Sequence, residues 1–270
     1  MTNPFLACIA VAISPLAAMD DPIVMEKKTS RPLSTDRPDQ TESAISVPKG
    51  WFQVESNLVS FSRTYGGGEL SQDTSLGDFI FKYGITHNTD LQLGWAPRLL
   101  HRDKDIDGFL ANKSTGTGDV LVRVKTNLVG NDGGDYAIAL LPWVKAPTAT
   151  TGFGNNCWEY GLTINQELDL GGGWELGSSI FLAMAVNDDR QRYFEPAITL
   201  VLGHDITERL AFYVETYQGY LNDGDGYLQS ALDGGLTYHV TPDLKFDAGM
   251  NWYFNGEQSI NPFVGVSFRF

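Results

Sequence analysis

Histidines, cysteines and clustered carboxylates are where covalent or metal chemistry would begin. The chain has His87, His101, His204 and His239. The hydropathy pattern puts His87 in a turn, His101 in a loop, His239 near a rim and His204 on an outward face. A lipid-facing hydrolytic triad would need a serine beside His204 on that same face, and none can be assigned. Asp103, Asp105 and Asp107 alternate ahead of Gly108, as in the first half of a calcium loop. The twelfth position is Ser114, where such a loop needs Glu. A solvated acidic loop is the expectation, open at most to ions shared with lipopolysaccharide. Cys8 and Cys157 are too far apart in role to pair, since Cys8 falls in the expected signal and lacks a lipobox. One remaining thiol makes neither a disulfide nor a metal site. No cofactor, no metal and no enzymatic activity are expected.

What remains is a set of charged and phenolic side chains at alternate positions of β-like stretches. Glu55, Asp78, Lys82, Asp119, Arg123, Lys125, Glu159, Glu195, Tyr213, Glu215, Asp247 and Arg269 all fall on the face opposite the apolar one. Lys145 and Asp233 share it. Side chains two apart lie on one face of a strand. Such a face can select a polar solute or brace a wall by pairing charges. The basic members Lys82, Arg123 and Lys125 come from early strands and Glu159, Glu195 and Glu215 from later ones. Closure in sequence order would put the two signs in different sectors.

These residues need strands to position them. From Trp51 onward twelve stretches recur, near 51–62, 75–86, 90–100, 117–129, 135–146, 157–168, 174–186, 192–204, 209–220, 227–240, 244–254 and 260–270. In the fourth, Val120, Val122, Val124 and Leu128 oppose Asp119, Arg123, Lys125 and Asn127. In the eleventh, Phe246, Ala248, Met250 and Trp252 oppose Lys245, Asp247 and Asn251. A soluble sandwich also alternates, so three further features decide. Connections after even-numbered stretches are tight, while HRDKDIDGFLANKST and PTATTGFGNN are long. Aromatics gather in two belts, Phe52, Tyr136, Trp174, Phe212, Tyr238, Phe268 and Phe270 on one rim and Phe79, Trp95, Trp158, Phe194, Trp252 and Phe254 on the other. The final stretch puts Val264, Val266, Phe268 and Phe270 on one face, resembling the terminal signal read by the barrel assembly machinery. The expected fold is an all-β transmembrane antiparallel up-and-down β-barrel of about 12 strands in the outer membrane.

The N-terminus differs. Pro4 to Met19 is an almost uncharged apolar run ending in Ala17-Ala18, which reads as a secretory signal over residues 1–18. Residues 19–49 carry Pro32, Pro38 and Pro48 without any period, which reads as an extended leader. Its Asp36, Arg37, Asp39 and Glu42 are too polar for lipid, and the expectation is a segment inside or against the lumen of the 50–270 barrel. A net charge of −14 and a pI near 4.6 exclude a nucleic-acid partner. Mean hydropathy of −0.17 is compatible with a barrel, whose strands average apolar and polar faces.

Several segments together resemble a known family. They are Ser34-Thr35-Asp36-Arg37-Pro38-Asp39-Gln40-Thr41-Glu42-Ser43, Val47-Pro48-Lys49-Gly50-Trp51, Lys82-Tyr83-Gly84-Ile85-Thr86, Leu141-Pro142, Glu159-Tyr160-Gly161 and Tyr213-Val214-Glu215. Over most of residues 34–270 the chain resembles the outer-membrane "transporter" proteins catalogued with the meta-pathway of phenol degradation. Where that pattern carries Arg, residue 82 is Lys, which keeps the charge but not the bidentate geometry. The resemblance implies a barrel, no catalytic residues, and passive passage of small organic, aromatic compounds. The expected partners are outer-membrane lipid, lipopolysaccharide, the assembly machinery and small organic solutes. The competing expectation is a structural or surface-adhesion barrel that transports nothing.

Overall fold

A computed structural model describes residues 31–66, 69–104, 109–187, 189–221 and 226–270. The expected signal, residues 1–18, lies outside them. Among the described residues there are fourteen antiparallel segments: β1 (Phe52–Gly66), β2 (Glu69–Gly84), β3 (Thr89–Trp95), β4 (Arg98–Lys104), β5 (Leu110–Gly116), β6 (Val120–Val129), β7 (Tyr136–Ala146), β8 (Glu159–Gly171), β9 (Trp174–Val186), β10 (Arg192–Asp205), β11 (Leu210–Leu221), β12 (Tyr227–Thr241), β13 (Leu244–Asn255) and β14 (Gln258–Arg269).

These segments make twelve staves. β2 pairs with β3 through Phe79–Gly84 and with β4 through Leu70–Leu76, so β3 and β4 are one stave. Pro97 falls in the break, where a missing N–H cannot continue the ladder. β5 and β6 form the next stave in the same way, β5 pairing with β4 and β6 with β3. β1 pairs with both β2 and β14, which closes the sheet into a barrel; β5, above it, pairs with β4 alone among the described residues.

The side chains invert the usual order. Leu91, Leu93, Val214, Leu232, Leu236, Met250 and Val264 point outward and are exposed. Asp90, Gln92, Asn165, Ser179 and Thr199 point inward and are buried. Apolar groups outside and polar groups inside suit a wall that meets lipid. Both aromatic belts are present as ring clusters. Phe52 packs with Tyr83 and Phe270 at the lower rim, and Phe79 with Trp95 at the upper.

Four elements run further than expected. β1, β2, β4 and β5 extend into the stretches read as loops, including most of HRDKDIDGFLANKST. There Ser71, Asp73, His101 and Asp103 are paired across β2 and β4. Such a ribbon has no apolar face, so alternation cannot reveal it, while ladder hydrogen bonds still hold it. Asp103 accepts from Ser71 and pairs with His101; Asp105 and Asp107 lie outside the described residues.

Phe52 and Phe270 exchange both backbone bonds at 2.9 Å across the closing seam. The Phe270 ring stacks on Phe52 and Phe268, with centroids at 5.7 and 5.9 Å. Deleting Phe270 is expected to destabilise the barrel by about 2–3 kcal/mol, from two hydrogen bonds and the ring contacts. Loss of the heat-modifiable band at lower temperature on a gel would show it; an unchanged melting profile would contradict it.

Candidate functional site

The interior of the barrel is occupied by residues 31–49. This segment forms no strand. Its β contact with the wall is a single bridge, Lys49 to Gly84, at its very end. Everything before that is held through side chains.

The tightest knot is Asp36. Lys82, Gln92 and Arg123 stand side by side on β2, β3 and β6, and Asp90 faces Lys125 one rung below. That register aims three cations at one point. Asp36 Oδ2 accepts from Lys82 Nζ at 2.5 Å and Arg123 Nη2 at 2.7 Å, and Oδ1 accepts from Lys125 Nζ. The Ser43 amide adds a bond to Oδ1 at 3.1 Å. Arg123 Nη1 reaches Glu42 at 2.5 Å, and its Nε donates to Gln92. Glu55 pairs with Lys82 and accepts from the backbone amides of Asp36 and Arg37 at 2.9 and 3.2 Å. The Asp36 side chain is 4% exposed and those of Lys82 and Lys125 are 2% and 1%. Ions this dry hold only when fully paired, and removing one partner of such a pair costs about 3–5 kcal/mol.

A second anchor is Arg37. It donates to both oxygens of Asp247, at 2.6 and 3.3 Å, and to Asn57 at 2.6 Å, and it lies over the Phe263 ring. Gly265 makes this possible, since a Cβ there would collide with the guanidinium. Lys245 donates to the Thr35 hydroxyl and to the Arg37 carbonyl.

The third anchor is Gln40-Thr41. The Gln40 amide donates to Glu215 at 2.7 Å and its side chain donates to Asp233 at 2.5 Å. Tyr253 donates to the side-chain oxygen Oε1 of Gln40 at 2.9 Å, and the Thr41 hydroxyl donates to Glu215 at 2.5 Å. Below, Glu167, Asn131 and Asp90 accept from the amides of Ala44, Ser46 and Val47. At the periplasmic turn Arg31 pairs with Asp132. The His87 hydrogen bond pulls the Asp132 carboxyl below its ordinary range, and the Arg31 charge adds to this.

The remaining expected site residues are dispersed. Asp119 accepts from the amides of Thr148 and Ala149 at 2.8 Å, and Glu159 pairs with Lys145 and accepts from Asn155 and Val186. Both brace the outer mouth, so Glu159 does not join an acidic sector as its alternation suggests. Glu195 is half-buried on β10. Asp78 accepts from Asn57 at 3.4 Å, and Arg269 pairs with Asp243 at the floor. Asp39 is half-buried and forms no ion pair among the described residues. His204 lies outward, stacked on Trp174. The basic cluster and the Glu215–Asp233 pair do fall in different sectors: β6 and β12 stand six staves apart in a ring of twelve. Reading the alternation missed Gln40, Asp90, Gln92 and Asn131. Asp90 and Gln92 alternate with Leu91 and Leu93 and were legible; Gln40 had no periodic signal.

The family model described as the putative MetA-pathway of phenol degradation matches residues 35–270, and the chain belongs to that family. No curated protein matches the chain. Among solved structures, it is similar to an outer membrane channel from Pseudomonas putida F1, with a TM-score of 0.63 at 13% identity over 88% of this chain and 100% of that one. It is also similar to the NanC porin, with a TM-score of 0.51 at 13% identity over 80% of this chain and 98% of that one. The closed barrel with its apolar outer band is an outer-membrane fold.

Asp36→Ala leaves three buried cations short of a carboxylate. Proteinase K is expected to cut residues 31–46 in the folded barrel of this variant at least tenfold faster than in the parent. Equal cutting rates would mean that Asp36 does not hold the segment.

Proposed function

We propose that this protein is a passive outer-membrane channel for small organic solutes, aromatic ones among them, with residues 31–49 as a plug that can be displaced. The observation that carries this is how the segment is held. It lies in a polar lumen, bound by side chains rather than by strand pairing or by an apolar core. Such bonds are exchangeable for water once the lumen wets, at about 1.5–3 kcal/mol each for those to charged groups, and none of them is part of the strand ladder, so displacement does not require the barrel to open. The apolar cluster inside is small, with Ala44 and Ile45 against Ala137 and Ala139, and among the leader's other apolar side chains Leu33 and Val47 are buried. The family and the two channel folds agree with this reading, which includes no covalent step. On the same reading, residues 1–18 are a secretory signal and the Phe268–Phe270 end is what the barrel assembly machinery recognises. Lipid and lipopolysaccharide surround the outer face.

The test is conductance. A barrel lacking residues 31–46, reconstituted in planar bilayers, is expected to show at least a severalfold larger single-channel conductance than the full chain. If the two conduct equally, or neither conducts, the plug or the channel respectively is refuted.

A further inference from the structure

On the inner wall of β11–β14 three rungs lie one above another. The lowest joins Tyr213, Gly235, Gly249 and Phe263; the middle joins Glu215, Asp233, Asn251 and Asn261; the upper joins Tyr217, Ala231 and Tyr253. The middle rung is anomalous. Glu215 and Asp233 are directly opposite across two strands, 3% and 6% exposed. Like charges in that position repel, and neither carboxylate forms an ion pair among the described residues. The cations on neighbouring strands and on the leader are engaged elsewhere, Arg37 with Asp247 and Lys245 with the leader backbone.

Three buried oxygens in this patch lack any hydrogen-bond partner: Asp233 Oδ1, Asn251 Oδ1 and the Tyr213 hydroxyl. Tyr213 is itself 6% exposed. Its ring lies over Gly235 and Gly249, where a Cβ would come within 2.7 Å of it, so both positions leave room for the ring to lie across the wall. Above the acids, Tyr217 and Tyr253 meet edge to face at 6.0 Å. The acceptors are thus unsatisfied and enclosed between phenolic rings. Leader donors already enter: the Gln40 side-chain amide on Asp233, and the Gln40 backbone amide and Thr41 hydroxyl on Glu215.

We infer that this patch is a binding site for an organic cation, a primary ammonium group carried on a small apolar body. Two carboxylates supply the charge, the free acceptors take N–H donors, and the tyrosine faces favour a cation beside them. The ammonium group would take the place of the Gln40 amide. A route is present. Asn251 pairs with Asn261, and Asn261 lines a cavity of about 450 Å³ toward the outer mouth, with Ser60, Ser62, Asp73 and Phe153 on its other walls. This names a solute class for the proposed channel.

The test is calorimetric binding of phenethylammonium to the full chain in detergent, beside its neutral and anionic counterparts 2-phenylethanol and phenylacetate. The ammonium compound is expected to bind at least tenfold more tightly than either. Asp233→Asn and Glu215→Gln should each weaken it at least tenfold, and Tyr217→Leu severalfold, with heat-modifiability retained. Gln40→Ala should strengthen it. Equal affinity for the charged and neutral compounds overturns the site, and so does unchanged affinity in the folded carboxylate variants. The wild-type comparison decides even if those variants fail to fold. Conductance of the same preparation separates the two readings. Binding without conductance refutes the channel and leaves the site standing; conductance without preference for the ammonium compound refutes the site alone.

Discussion

One carboxylate organises the inside of this barrel. Asp36 is an ion held by three cations that the wall supplies from adjacent staves, all of them nearly dry. Lys82, Arg123 and Lys125 would repel one another without an anion between them, and the wall's own Glu55 and Asp90 offer two negative charges against three positive. The leader brings two more, Asp36 against all three cations and Glu42 against Arg123. The wall and the leader are therefore each electrostatically incomplete, and the register of β2, β3 and β6 matters because it sets where the completing charge must sit. Other contacts of the leader follow from that point. With Asp36 fixed, Arg37 falls opposite Asp247, and Gln40 reaches Glu215 and Asp233 on the far side of the ring.

The bilayer imposes the complementary constraint. With lipid outside, the backbone must satisfy its hydrogen bonds within the wall, which strands can do only as a closed sheet. The apolar residues then go outward, and little apolar surface remains for the inside. The interior must be filled by water, by a solute or by polar chain. Residues 31–49 are polar chain of that kind, rich in Ser, Thr and Asp, and they lie where a soluble protein would have its hydrophobic core.

How much of this was legible follows from the physics of each part. The twelve staves were readable because lipid on one face and polar groups on the other force a period of two. Arg123 and Lys125 against Val122 and Val124 state that inversion in four residues. Ribbons beyond the bilayer, such as Ser71 to Asp73 paired with His101 to Asp103, were invisible because no solvent boundary divides their faces. The charges of the leader announced that it avoids lipid, and its position before β1 placed it near the periplasmic mouth. Its partners could not be read. Which rung Asp36 meets depends on the shear of the barrel, and no local pattern encodes shear. Glu159 shows the same gap: its alternation is that of a lumen acid, yet Lys145, directly opposite on β7, neutralises it.

If the leader is a displaceable plug, its Asp36 and Gln40-Thr41 anchors are not equivalent, and charge decides their order. At Asp36, withdrawal strips two carboxylates from a cluster of three cations, so this contact resists until water or another anion enters. At Gln40-Thr41, withdrawal removes neutral N–H and O–H donors from two carboxylates that repel each other, and those acids lose only hydrogen bonds. The Gln40-Thr41 anchor therefore yields first, while Asp36 and the Lys49–Gly84 bridge still tether the segment to the wall. A segment that loosens at the acidic sector before the basic one opens the lumen on one side. The first solute to profit is one that replaces what Gln40 gave, namely N–H donors, and adds the positive charge that Gln40 lacks.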